Sequence, residues 1–389
     1  MSAINLSGNA SGSGTFTIAS PNSNTSYTLA LPEEAGTITT SNSPYSTFRN
    51  RIINGDMRID QRNAGASVNL SATSQYTIDR WDVRLGTSTG STTQQSTTAP
   101  AGFTNSLLLT IGTGASPSAS AGTGYLDQTI EGFNTADLGW GAAGAKTITL
   151  SFWVRSSLTG SFGVCVTNDG INPSYPTSYT INSANTWEYK TITVPGPTTG
   201  TFNTNNAGGI RLFFDWGNGS NFKGTADTWA NADYRGGATG TSSICATSGA
   251  TWYITGVQLE VGSVATPFER RPYGTELSLC QRYFYLHSGS TNKALGAGAA
   301  TGTTQVNGIV YFPVSMRASP SLYSTLSATD KFRFNSNVDS NSNSDMSLGD
   351  VGLSFAGYSV GGFSGLTTGY AGAIRRYNAT GVLGFTAEL

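Results

Sequence analysis

Two-residue alternation of apolar side chains constrains this chain more than any other feature. In TITLSFWVR, Ile148, Leu150, Phe152 and Val154 fall on one side, and Thr149, Ser151, Trp153 and Arg155 on the other. Successive side chains of a strand point to opposite faces, so this pattern specifies a half-buried antiparallel strand. GIRLFFDW repeats it with Ile210, Leu212, Phe214 and Trp216 inward, and ITGVQLEVG with Val257, Leu259 and Val261. In WEYKTITV the parity slips between Tyr189 and Ile192, which predicts a bulge. Turn-rich clusters such as NDGINPSYP and DWGNGSN separate the strands. Many strands with such connections, and no helical periodicity, predict a β-sandwich over residues 48–272.

Composition removes several classes of function. Only 11% of the 389 residues are charged, while aromatics reach 11%, enough to build cores. Disordered chains show the reverse balance. The net charge is −1 and no block of Lys or Arg occurs, so nucleic acid is not expected as a partner. No apolar run is long enough for membrane insertion. The opening MSAINLSGNASGSG lacks the basic and apolar regions of a signal peptide. Cys165, Cys245 and Cys280 are odd in number and widely spaced, which fits neither zinc nor a disulfide framework. Cys280, among apolar neighbours, is expected to be a buried thiol. Synthesis in a reducing cytoplasm follows, with release by a route other than secretion.

Residues 1–47 hold short alternating stretches (Phe16 and Ile18; Tyr27, Leu29 and Leu31) but too few large apolar residues for a core. They need a partner surface, either other copies or a docking protein. YGTELSLCQRYF, residues 273–284, is the one helix candidate, with Thr275 as cap and Glu276 in the first turn. Its Leu277, Leu279, Cys280, Tyr283 and Phe284 occupy more than one face, which predicts burial on a threefold axis and hence a homotrimer. Beyond it VNGIVYFPV alternates again, and GYSVGGFSGLTTGY reads as glycine-rich loops. The expected fold is all-β: a thin N-terminal β segment (1–47), a β-sandwich (48–272), then a short helical linker and C-terminal β-sandwich tip (273–389).

No enzyme is expected: the sequence holds no H-E-x-x-H and no P-loop, while the carboxylate pair of a glycosidase, which the fold sets, stays open. The single histidine, His287, follows YFYL and reads as an ordinary strand residue. DSNSNSDMSLGD spaces Asp339, Asn341, Asn343, Asp345 and Asp350 like a calcium loop, but Ser344 stands where glycine is needed, so it reads as a solvated loop. Trp81, Trp187 and Trp216 read as core residues. Trp153 lies on the polar face beside Arg155, while Trp140 and Trp229 lie in loops; these four are ligand-binding candidates, since aromatic faces suit sugar rings. Tyr358, Phe363 and Tyr370, with Arg375 and Arg376 nearby, form a second candidate set. They place ligand contact in residues 285–389, with the arginines suited to acidic sugars.

FRNRIINGDMRIDQRNAG, YTIDRWDVR, LSFWVRSSLTG, NTWEYKTITVPG and ITGVQLEVGSVATPFERRPYGTELSLCQRYFY resemble a family of phage tail-fibre proteins, and FPVSMRASPS looks like the start of its C-terminal module. The resemblance implies a virion fibre made in the host cytoplasm, usually trimeric, with a jelly roll similar to carbohydrate-binding modules. Residues 1–47 would dock to a tail or neck protein, and the distal region would bind a host surface glycan or protein. Three readings stay open: an adhesin, a purely structural fibre or decoration protein, and a polysaccharide depolymerase. NGDM is similar to the opening of modules in which calcium helps hold the fold, implying Asp56 and Glu260 as ligands. Met57 replaces the family's aromatic, however, and Thr255 and Gly256 stand where paired Asp is usual, so no cofactor is expected.

Overall fold

Apolar alternation organises two packed sheets in the computed structural model, which describes residues 48–288, 292–327, 331–336, 338–378 and 380–389. The strands expected within residues 1–47 lie outside the described residues. All described residues belong to one compact unit, Pro44–Leu389. Among them the protein is nearly all β, with one α-helix, Tyr273–Gln281.

The first sheet runs, edge to edge, Val68–Asn69, Thr92–Ser96, Ser106–Thr110, Thr251–Val261, Ile148–Ser156 and Glu188–Val194. The second runs Gln75–Ile78, Trp81–Leu85, Gly124–Glu131, Gly208–Asp215, Gly160–Asn168 and Ser174–Ile181. Every pairing is antiparallel, and the chain crosses repeatedly between sheets, as in a jelly roll. Ile148, Leu150, Phe152 and Val154 are fully buried between the sheets. Phe152 meets Phe214 of the opposite sheet at 5.1 Å, and Trp216 meets Trp252 at 5.7 Å. Each such side chain contributes roughly 1.5–3 kcal/mol of burial.

The expected bulge at Tyr189–Ile192 is absent: Glu188–Val194 pairs with Ile148–Ser156 in unbroken register. Edge position misled the parity reading. Glu188 and Lys190 take the same face as buried Ile192, where they pair with each other at 2.6 Å. The sheet's irregularity lies on Thr251–Val261, between Thr255 and Gln258.

The helix begins after Pro272 and ends at Gln281, so Thr275 is not its cap and Phe284 already opens the next strand. Cys280 and Tyr283 are buried against Ile53 and Ile59 of the same protomer, and Phe284 is fully buried. The helix faces are thus covered within one chain and do not call for a threefold axis. All three cysteines are free and buried.

Residues after the helix form a three-stranded sheet (Phe284–Ser288, Leu383–Thr386, Ser321–Ser324) and a seven-stranded one. The latter runs Asp339–Ser342, Phe332–Asn335, Ala371–Arg376, Ala294–Ala300, Val306–Tyr311, Phe355–Val360 and Met346–Val351. The stretch read as a solvated calcium-like loop therefore supplies two strands, and Lys331 pairs with its Asp345 at 2.5 Å. The supposed glycine-rich loop stretch begins inside another, Phe355–Val360. Ala356, Tyr358 and Val360 alternate inward on it.

The two β units are tied by ion pairs and hydrogen bonds. Glu388 pairs with Arg62 at 3.1 Å and with Arg80. Arg282 and the Tyr283 hydroxyl both donate to Glu131, at 2.6 and 2.8 Å. Arg317 donates to the carbonyls of Asn206 and Ala387.

Candidate functional site

The solvent-facing side of the first sheet carries a stripe of aromatic and arginine side chains. Trp153 and Arg155 point outward by the same alternation that buries Phe152 and Val154. Tyr189 lies directly opposite Trp153 on the edge strand, with ring centroids 5.4 Å apart. Tyr253 lies opposite Arg155 on the other side, and the guanidinium stands 5.0 Å from its ring centroid. Trp187 completes this end, 6.0 Å from Tyr253. Trp187 is therefore half-buried on the outer face and not in the core.

A strap formed by residues 262–271 folds back over the other end of the face. Thr266 fixes it: its N–H donates to Glu260 Oε1 at 2.8 Å and its hydroxyl to Oε2 at 2.6 Å. The Glu269 N–H adds a bond to Gln258 Oε1 at 2.7 Å. The strap thereby delivers Phe268 to Phe103, edge to face at 5.2 Å. Arg270 lies 4.6 Å from the Phe103 centroid and 5.8 Å from that of Phe268.

Phe103, Trp153, Tyr189, Phe268 and Arg270 together wall a cleft of about 620 Å³, floored by Ser151, Gly256 and Thr266. Among the described residues no carboxylate lines it. Gly256 is required at the floor. It has φ +64°, and a Cβ there would lie 2.7 Å from the Phe103 ring and 3.2 Å from Trp153.

The other proposed residues separate into different places. Trp140 and Trp229 meet each other at 5.5 Å, with Phe202 and Tyr175 around them. Both indole N–H groups donate to backbone carbonyls, of Lys146 and Pro195, so this cluster plugs an end of the sandwich. Tyr358 and Phe363 lie in the core of the C-terminal unit, each 3% exposed. Arg376 is buried, and Arg375 donates to Asn335 Oδ1 at 2.9 Å. Of that set only Tyr370 is well exposed. Phe103, Tyr189, Tyr253, Phe268 and Arg270 are the cleft and stripe residues that sequence reasoning missed. The segment TPFERRP directly after the last apolar strand was the signal for the strap.

Asp56 and Glu260, the two candidate calcium ligands, each have protein partners. Arg58 stands against Asp56, and both Glu260 oxygens accept protein donors from Gln258 and Thr266. Among the described residues no three His, Cys, Asp or Glu side chains group as metal ligands. His287 sits in a strand with Nε2 2.8 Å from the Leu295 carbonyl, and burial lowers its pKa.

The fold and the cleft define a β-sandwich protein with an exposed aromatic face on its first sheet. No family model matches the chain, and no curated protein does. Solved structures with similarity include the tailspike protein 4 enzymatically active domain of bacteriophage CBA120 (14% identity, TM-score 0.27, covering 57% of this chain and 22% of that one). A putative sugar binding protein from Bacteroides thetaiotaomicron gives 14% identity and TM-score 0.27, covering 55% of this chain and 100% of the other. A family 16 carbohydrate binding module gives 13% and 0.23, covering 43% and 84%. The chain thus spans about a fifth of the tailspike domain's length. None of these likenesses transfers a residue role or an activity.

Proposed function

We propose that the protein is a non-catalytic, glycan-binding adhesin of a phage virion fibre, with its binding face on the first sheet of the sandwich. One observation carries this: Trp153 and Tyr189 form a paired aromatic platform at an open cleft, held by a strap and a backbone glycine. Sugar rings stack on such faces through their C–H groups, while the hydroxyls reach polar neighbours such as Ser151 and Thr266. The absence of a carboxylate pair in the lining favours binding over glycoside hydrolysis, which needs two carboxyl groups across the bond. We place host contact on this face in preference to the C-terminal unit, where Tyr358, Phe363 and Arg376 of the candidate set are buried and Tyr370 is exposed.

A glycan array probed with the full chain tests the reading. Selective glycan signals are expected, with Trp153→Ala weakening them by up to about tenfold; aromatic stacking is worth ~0.5–1.5 kcal/mol per ring. An array without signal would leave a purely structural fibre protein. Release of reducing sugar from a bound glycan would restore the depolymerase.

The assembly we take to be a homotrimer, docked to the tail or neck through residues 1–47. Ile309 and Tyr311 are half or more exposed on one strand, and Phe355 pairs with Tyr311 on the next. Self-association would cover such a surface. Multi-angle light scattering should return three times the chain mass; a stable monomer at micromolar concentration would rule the trimer out.

A further inference from the structure

We propose that the cleft takes an acidic glycan carrying carboxylates, an inference that rests on the glycan-binding reading and adds its charge class. The argument begins with the sandwich's arginines. Arg49, Arg51, Arg58, Arg62, Arg80, Arg84, Arg211, Arg235 and Arg271 each stand against a carboxylate. Among the described residues Arg155 and Arg270 do not, and both lie on the outer face of the first sheet. The whole chain has a net charge of −1, so two uncompensated cations on one face are not a by-product of general basicity.

Each of the two is held by aromatic rings. Arg270 stacks against Phe103 and Phe268 and, among the described residues, makes no hydrogen bond or ion pair. Arg155 lies over Tyr253 and donates only its Nε, to the Asn185 carbonyl at 2.9 Å. Ring stacking occupies the face of a guanidinium and leaves its in-plane N–H donors available. Those donors form a planar fork that matches a carboxylate in a bidentate pair. With no acid in the lining, the local potential is positive and attracts an anion.

Trp153 and Tyr189 between the two arginines supply what an anion alone does not need, a platform for sugar rings. A polyol phosphate would satisfy the arginines but leave the platform empty. A uronate-type oligosaccharide satisfies both.

The test is calorimetric titration of the full chain with a panel of uronate oligosaccharides, each paired with its carboxyl-reduced neutral counterpart, plus poly(glycerol phosphate). At low salt one acidic member should bind about tenfold tighter than its neutral partner, ~1.4 kcal/mol, and high salt should shrink the gap. Arg270→Gln should lower the acidic affinity about tenfold. Arg270 is exposed, so an unchanged melting curve certifies that variant's fold. Equal affinity for acidic and neutral partners, with Trp153→Ala weakening both, would overturn the charge class and leave the glycan reading standing. Binding of poly(glycerol phosphate) alone, lost in Arg270→Gln, would reassign the ligand to a phosphate polymer. No binding by any member, or binding indifferent to Trp153→Ala, would overturn both readings.

Discussion

Glu388→Ala should destabilise the protein by about 3–5 kcal/mol, the range for removing one member of a buried ion pair. The Glu388 carboxylate is shared by Arg62 and Arg80, whose side chains are 3% and 2% exposed. Arg80 also lies 3.5 Å from the centroid of Tyr283 and donates to the Thr129 carbonyl at 2.6 Å. It therefore cannot swing out to water when its partner is removed. Arg62 keeps a weaker partner, Asp79 at 3.7 Å, so most of the loss falls on Arg80. Glu388→Gln should cost less, because the amide oxygen still accepts one bond. Urea unfolding followed by tryptophan fluorescence reads the effect. Since Glu388 joins the two β units, the loss should appear in a transition that involves both. A shift below about 1 kcal/mol would show that water reaches this site.

Much of this architecture was legible because burial imposes alternation. Ile148, Leu150, Phe152 and Val154 announced both their strand and its inward face, and Trp153 and Arg155 were correctly read as outward for the same reason. The failures have physical causes. On the edge strand, Glu188 and Lys190 pair with each other, so the inward face is not apolar and parity misplaced Tyr189 and Trp187. Glycine density suggested loops around Tyr358, yet Gly308 sits opposite it on the neighbouring strand. A Cβ at Gly308 would lie 2.4 Å from the Tyr358 hydroxyl, so this glycine makes room for a ring within a sheet. Trp140 and Trp229 sat in irregular segments and looked free, but sequence does not reveal that Phe202 and Tyr175 close around them. The cleft was half legible. Its Trp153 side follows from local periodicity, whereas Phe103 and Phe268 meet across more than 160 residues through the bulge and strap. No local pattern encodes that meeting.

Stability should fall as pH rises from about 4 to about 6.5, the reverse of ordinary acid denaturation. Burial pushes Asp79 up to about 6, although Arg62 and the bonds from Gln61 pull the other way. Burial likewise pushes Asp127 up to about 6; Arg211 opposes this, and Asp82, opposite it on the next strand, adds to it. One Asp127 oxygen accepts from Arg211 at 2.8 Å, while the other has no partner among the described residues, which explains why ionisation is costly. A carboxyl whose folded pKa exceeds its unfolded value holds its proton more tightly when folded. Between about 4 and 6 the unfolded chain has released protons that the native chain retains, so raising the pH favours unfolding. A shift of about two units corresponds to roughly 3 kcal/mol for each group. Asp60, Asp215 and Glu276 are raised by burial too and act in the same sense. Opposing them, Glu131 is lowered despite its burial by Arg282 and Tyr283, and the depressed His287 costs stability as pH falls below its ordinary range. The two strongly shifted aspartates outweigh these, so the urea midpoint should be higher near pH 5 than at pH 7. Asp127→Asn should flatten that slope by about half, since the amide cannot ionise and still accepts from Arg211. A wild-type midpoint that climbs steadily from pH 4 to 7 would mean that both carboxylates ionise normally in the folded protein.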